Sequence, residues 1–193
     1  MNLDTYFWDN RYKKNDIGWD LGEVSPPLKE YFNQLKNKDL KILIPGGGNS
    51  YEAEHLFNKG FRNIFIVDLS ITALNNFTKR VPNFPQKNLL YSNFFDTHLT
   101  FDLIIEQTFF CALNPNLRTH YVSKVYDILN CKGKLVGVLF DTPLNSDTPP
   151  FGGNKKEYFD LFSSKFSIKN LEKCYNSIES RDGKELFINL IKT

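Results

Sequence analysis

Short apolar runs alternate along this chain with stretches whose apolar residues recur at three- and four-residue steps. Leu40–Ile44 reads Leu-Lys-Ile-Leu-Ile and stops at Pro45-Gly46-Gly47-Gly48. Such a run predicts a buried strand feeding a glycine-rich turn. Ser50–Lys59 follows with Ala53, Leu56 and Phe57 on one side, a helix that Gly60 ends as a C-cap. Asn63–Val67 is a second strand ending at Asp68, and Ser70 stands where it would N-cap a helix over Ile71–Arg80. Asn88–Tyr91 and Phe101–Ile105 are further short strands, the latter entering Glu106-Gln107-Thr108. Asn116–Asn130 carries Leu117, Tyr121, Val125 and Ile128 at helical spacing. Gly133 opens a long strand over Lys134–Phe140. Lys155–Phe162 is helical, and strands over Phe166–Lys173 and Leu186–Ile191 close the chain.

Alternating strands and helices imply an α/β fold: a doubly wound, mostly parallel sheet of seven strands with helices on both faces. The last two strands are separated by the turn Arg181-Asp182-Gly183-Lys184 without a helix, so an antiparallel pair is expected at that edge. Before the first strand, Pro26-Pro27 opens a helix near Leu28–Lys36. No repeat, low-complexity tract or linker interrupts the pattern, and one domain is expected over residues 1–193.

Composition removes several function classes. Lys plus Arg number 24 and Asp plus Glu 22, for a net charge of +2 and no run of five like charges. Nothing there draws the chain to nucleic acid or an anionic membrane. No apolar run has the length of a membrane span, and Met1–Asp20 lacks the apolar core of a signal peptide. Cys111, Cys131 and Cys174 are odd in number and not at ligand spacing, which points to reduced thiols and a cytoplasmic location. His55, His98 and His120 form no metal-binding pattern, so no metal site is expected.

The chemistry gathers at the first turn. Ile44-Pro45-Gly46-Gly47-Gly48-Asn49-Ser50 follows the first strand, and Asp68 ends the second. Glycine lets a ligand approach the backbone closely, and an acid about 20 residues on can accept ribose hydroxyls. This is the pattern of a nucleoside-cofactor site beyond the carboxyl ends of parallel strands. A dinucleotide fingerprint would need a third glycine where Tyr51 stands, and no Lys follows to make a P-loop. A turn without a pyrophosphate cradle suits S-adenosylmethionine (SAM), which carries no phosphate.

Four stretches then resemble the thiopurine S-methyltransferase family, most of all its thiol/halide methyltransferase branch. They are Trp8-Asp9-x-x-Tyr12 with Gly18-Trp19-Asp20-x-Gly22; the glycine turn with Val67-Asp68-Leu69-Ser70; Phe101–Leu113, running on to Arg118; and Pro149-Pro150-Phe151. The resemblance spans Trp8 to Lys192. It implies a class I SAM-dependent methyltransferase whose residues 1–38 form a lid over the cofactor and whose residues 39–193 form the Rossmann-like core. It places Trp8, Tyr12 and Trp19 over the sulfonium, where an aromatic face stabilises a cation by about 0.5–2 kcal/mol. It assigns Gly46, Gly48 and Asp68 to the cofactor turn and ribose, Asn93 and Phe94 to the adenine, and Gln107 to the methionine end. Arg118 and Phe151 become candidates for the acceptor pocket, Arg118 as a charge that attracts an anion.

The reaction so implied is methyl transfer by in-line displacement to a small soft nucleophile, a thiol, halide or thiopurine. Such an acceptor arrives charged and needs no general base, so no catalytic base is assigned. An alcohol or amine acceptor would need one, with Glu106 and Asp141 the first candidates. The alternatives are a methyltransferase for another small molecule, a nucleic acid or a protein, and a SAM-binding protein without activity. Against a DNA amino-methylating enzyme, the place after the fourth strand reads Glu106-Gln107-Thr108-Phe109 and lacks the Pro-Pro-aromatic motif. A monomer or weak homo-oligomer is expected.

Overall fold

The first strand, β1 (Ile42–Pro45), is buried along its whole length, as its unbroken apolar run requires. In the computed structural model, which describes residues 2–193, it lies in a seven-stranded sheet. Met1, the first residue of the expected domain, lies outside the described residues. The other strands are β2 (Ile64–Asp68), β3 (Leu89–Tyr91), β4 (Phe101–Gln107), β5 (Leu129–Phe140), β6 (Phe166–Lys173) and β7 (Glu185–Lys192). Their order is β3-β2-β1-β4-β5-β7-β6. The first five pair in parallel, with Ile42 beside Ile64 and beside Leu103. β7 runs antiparallel to both β5 and β6, so the antiparallel pair sits at the expected edge, with β7 inserted on its inner side.

Successive side chains of a strand face opposite layers, and two cores follow from that. Ile42 and Ile44 of β1 and Ile64 and Ile66 of β2 pack with helices α2 (Pro26–Gln34), α3 (Tyr51–Asn58) and α4 (Ile71–Arg80). Leu43 and Val67 face the other way, toward α5 (Arg118–Ile128) and α6 (Lys155–Phe162). The sheet is thus covered on both sides, the doubly wound arrangement expected from the alternation.

Local chemistry sets the helix ends. Ser70 caps α4 by accepting the Ala73 N–H at 3.1 Å, and Asn154 caps α6 through Glu157 N–H at 3.0 Å. The helix predicted over Asn116–Asn130 is preceded by a 3-10 turn, Pro115–Leu117, and ends earlier, because β5 begins at Leu129. A helix that periodicity did not reveal, α1 (Thr5–Lys13), packs against α4. The chain builds β1 to β3 outward, then returns to place β4 on the other side of β1. The carboxyl ends of β1 and β4 therefore diverge, which opens a crevice at the switch point.

Candidate functional site

The crevice begins at the glycine turn. Gly46 and Gly48 have φ of 55° and 54°, a left-handed conformation that other residues adopt at a cost. A Cβ at Gly46 would collide with the Phe109 ring, and one at Gly48 with the Tyr12 hydroxyl. The turn is held to the second strand by Asp68. Its Oδ2 accepts the Gly48 N–H at 2.8 Å and its Oδ1 the Ser70 N–H at 2.7 Å. Asp68 is buried, and burial pushes its carboxyl up to about 6, against the pull of those two N–H groups.

A cavity of about 720 Å³ lies over this turn, within the range of small-molecule sites. Trp8, Tyr12, Trp19, Gly46, Asp68, Asn93 and Phe94 all line it. The three aromatics of the N-terminal segment form one cluster: the Trp19 ring meets Trp8 and Tyr12 edge-on at 5.7 and 5.9 Å. The Trp19 indole N–H also donates to the Tyr12 hydroxyl at 3.4 Å. Asn93 caps a short 3-10 turn, its Oδ1 accepting the Phe95 N–H at 3.0 Å, and this seats Phe94 against the core.

Gln107 and Gly48 line a second cavity, of about 50 Å³. Tyr12, Trp19, Gly46 and Thr108 belong to both cavities, so the two adjoin. Both amide atoms of Gln107 are buried without a hydrogen-bond partner. A buried donor and acceptor left unmade cost free energy, and a ligand bearing both a cation and an anion would satisfy them. The amino and carboxylate groups of SAM are such a ligand. The orphaned amide and the glycine cradle are the features by which these residues fit that cofactor.

The two expected acceptor-pocket residues lie apart from the cavity lining. Arg118 is not at the cavity wall. Its guanidinium is buried, pairs with Glu157, donates to the Gly152 carbonyl at 2.7 Å and stacks over Phe110. Through its two terminal nitrogens it ties α5 to α6 and to the segment before α6. Phe151 is also withdrawn: it is buried, its N–H donates to the Cys111 carbonyl at 2.7 Å, and Pro149 and Pro150 line the cavity in its place.

Glu106 is occupied in a comparable way. It is fully buried, its Oε1 accepts the Phe109 and Phe110 N–H groups at 2.8 Å, and its Oε2 takes the Tyr121 hydroxyl at 2.7 Å. Burial pushes its carboxyl up to about 7. It builds the corner after β4, where Thr108 sits at φ 58°, strained for a β-branched residue. Asp141 accepts the Lys155 N–H at 3.0 Å and does not line the cavity.

Other lining residues escaped sequence reading. Leu69, Thr108 and Phe109 adjoin predicted positions and follow from them. Arg181 does not: in sequence it is one charge of a turn. In the fold it is buried at the cavity, pairing with Glu185 at 3.2 Å and donating to the Trp19 carbonyl at 2.8 Å. No local pattern announces that contact, which spans 162 residues.

Comparisons place this site among known proteins. The sequence model of the thiopurine S-methyltransferase (TPMT) family matches residues 3–190. The chain is 28% identical over 156 residues to a probable thiol methyltransferase 2 of Arabidopsis thaliana, covering 78% of this chain and 69% of that protein. It is 24% identical over 200 residues to a thiopurine S-methyltransferase of Photobacterium profundum, covering 95% and 89%. In fold it is similar to the Burkholderia thailandensis 1,6-didemethyltoxoflavin-N1-methyltransferase bound to S-adenosylhomocysteine, with a TM-score of 0.80, 12% identity and 98% and 87% coverage. It is similar as well to the N-methyltransferase NodS of Bradyrhizobium japonicum in complex with the same compound, with a TM-score of 0.71, 16% identity and 98% of both chains covered. The glycine turn and the aromatic wall of the cavity lie within the matched residues, and the chain belongs to the thiopurine S-methyltransferase family of SAM-dependent methyltransferases.

Proposed function

We propose that the two adjoining cavities hold SAM and a small soft nucleophile, a thiol or halide, and that the protein moves the methyl group between them by in-line displacement. The observation that carries this reading is the junction of Gly46, Gly48, Asp68 and the orphaned Gln107 amide beneath Trp8, Tyr12 and Trp19. When bound, SAM supplies an activated methyl group. Asp68 offers its remaining lone pairs to ribose hydroxyls, Asn93 and Phe94 border the adenine, and Gln107 receives the amino-acid end. The aromatic rings face the sulfonium and exclude water from it. Residues 1–38 serve as lid and 39–193 as core of one domain.

The acceptor class follows from what the wall offers. The lining of the larger cavity includes no histidine, and its carboxylates are Asp68 and Asp16; Asp20, Glu23 and Glu52 line the smaller one. Asp16 pairs with Arg11 at 3.1 Å. The Cys111 thiol is pushed up to about 12 by burial and stays protonated. In the larger cavity no histidine stands ready to take a proton, which suits an acceptor that arrives ionised. The Arg181 guanidinium at the wall is offset by Glu185, and Arg11 and Lys184 are further cations in the lining toward which an anion can turn. The three free cysteines and a net charge of +2 support a cytoplasmic enzyme acting on small molecules, without nucleic acid. Among the described residues no helix is long and apolar enough to cross a membrane. A monomer or weak homo-oligomer completes the reading.

The test supplies SAM with a panel of thiols, halides and thiopurines and measures methylated product and S-adenosylhomocysteine together. Turnover of a thiol or halide without a fall at high pH supports the reading. Tight S-adenosylhomocysteine binding without turnover of any acceptor would leave a cofactor-binding protein.

A further inference from the structure

Helix α1 carries Trp8 and Tyr12, two of the N-terminal aromatics that line the cavity, yet its only buried residue is a carboxylate, Asp9. Helices ordinarily dock by an apolar stripe. Here Asp9 enters the amino end of α4: its Oδ1 accepts the Thr72 N–H at 2.8 Å and the Ser70 hydroxyl at 2.8 Å. Its Oδ2 pairs with Lys13 of its own helix at 2.8 Å. α4 thus has two caps, Ser70 from its own chain segment and Asp9 from α1. Both satisfy N–H groups that a helix start leaves unpaired, in the position where the helix dipole favours an anion. Burial pushes the Asp9 carboxyl up, but the Lys13 ammonium and the Thr72 and Ser70 donors outweigh it and hold it well below the usual carboxylate range.

The same serine reaches the ribose acid. Ser70 gives its hydroxyl to Asp9 and its backbone N–H to Asp68. Trp8 precedes Asp9 directly, and Tyr12 lies three residues on, with its hydroxyl over Gly48. The placement of Tyr12 over the glycine turn and of Trp8 at the cavity wall therefore depends on where Asp9 is held.

We propose that Asp9 is a positioning residue: it seats the aromatic helix over the cofactor cavity and joins it, through Ser70, to the carboxylate that holds the ribose. The proposal rests on the reading of that cavity as the SAM site. It does not give Asp9 any contact with cofactor or acceptor.

The chain has two tryptophans, Trp8 and Trp19, both in this segment, so tryptophan emission reports on the segment and far-ultraviolet dichroism on the sheet and helices. Asp9→Ala and Asp9→Asn are compared with the wild type without ligand, then titrated with S-adenosylhomocysteine. For Asp9→Ala the expected result is a red-shifted emission more open to iodide quenching, an unchanged cooperative dichroism signal, and at least a ten-fold loss of S-adenosylhomocysteine affinity. KM for SAM rises by a similar factor while kcat at saturating SAM changes less than three-fold. Asp9→Asn, which keeps the shape and loses the charge, falls between. Wild-type emission, quenching and affinity in a folded variant would overturn the proposal, and Asp9→Asn decides the matter if Asp9→Ala does not fold. Failure of the wild type to take up S-adenosylhomocysteine would instead defeat the cofactor reading, while the ligand-free emission still judges the docking of α1.

Discussion

The backbone N–H of Gly48 donates to Oδ2 of Asp68 at 2.8 Å, joining the turn after β1 to the end of β2. A single carboxylate thereby fixes the glycine cradle and faces the cavity. Asp68→Asn replaces one acceptor oxygen with a donor that opposes the Gly48 or Ser70 N–H. Hydrogen bonds to charged groups are worth roughly 1.5–3 kcal/mol, so S-adenosylhomocysteine affinity is expected to fall at least ten-fold. Isothermal titration of the folded variant measures it, and wild-type affinity would remove Asp68 from the site.

Affinity has a pH dependence of definite sign. Asp68 is raised to about 6, and in the proposed site ribose hydroxyls would donate to its ionised form. S-adenosylhomocysteine binding should be flat above pH 7 and weaken by roughly ten-fold per unit below pH 6, the limit for one proton. Dissociation constants at pH 5, 6, 7 and 8 check this.

Stability without ligand runs the opposite way. Glu106 and Asp68 have folded values of about 7 and 6, above their unfolded 4.5 and 3.8. A raised carboxyl contributes stability below its unfolded value and loses it as pH climbs through the folded one. The ligand-free protein should therefore melt higher at pH 5 than at pH 7.5. For Glu106 the difference is at most on the order of 3 kcal/mol, or roughly 5–10 °C for a chain of this size. Glu106→Gln should flatten the slope while methyl transfer persists, since that carboxyl is fully spent on Phe109, Phe110 and Tyr121. Loss of turnover in a folded Glu106→Gln protein would restore it as a candidate base.

Gly48→Ala should lower stability twice over. The left-handed backbone costs about 1–2 kcal/mol for a residue with a Cβ. The added methyl also meets the Tyr12 hydroxyl, and Tyr12→Phe removes that second part. The double variant should melt above Gly48→Ala, and equal melting of the two would show that the contact is absent.

Arg118→Ala should act on stability and leave the acceptor alone. It strands Glu157 and the Gly152 carbonyl, at a cost of about 2–4 kcal/mol. Urea unfolding gives the first quantity. An acceptor KM raised beyond three-fold in the folded variant would return Arg118 to the pocket.

Much of this was legible in the chain. Buried parallel strands are short unbroken apolar runs, and Leu40–Ile44 with Asn63–Val67 showed them without ambiguity. The glycine turn and Asp68 were legible because they obey a local rule, a tight bend followed by an acid at the next strand end. Helix α1 was not legible, because it docks by Asp9 while Trp8 and Tyr12 face a cavity, so no apolar stripe marks it.

By itself the sequence determined the layer architecture and the cofactor turn, since both depend on the order and spacing of neighbouring residues. Only the tertiary structure decided which charges serve the cavity. In sequence Arg118 is the candidate for the acceptor pocket and Arg181 one charge of a turn. Burial sends the first to Glu157 and Gly152 and the second to Glu185, the Trp19 carbonyl and the cavity wall. A buried guanidinium is placed by the acceptors around it; Glu185 is a neighbour in sequence, but Glu157, Gly152 and the Trp19 carbonyl come from segments 39, 34 and 162 residues away, which no local pattern encodes.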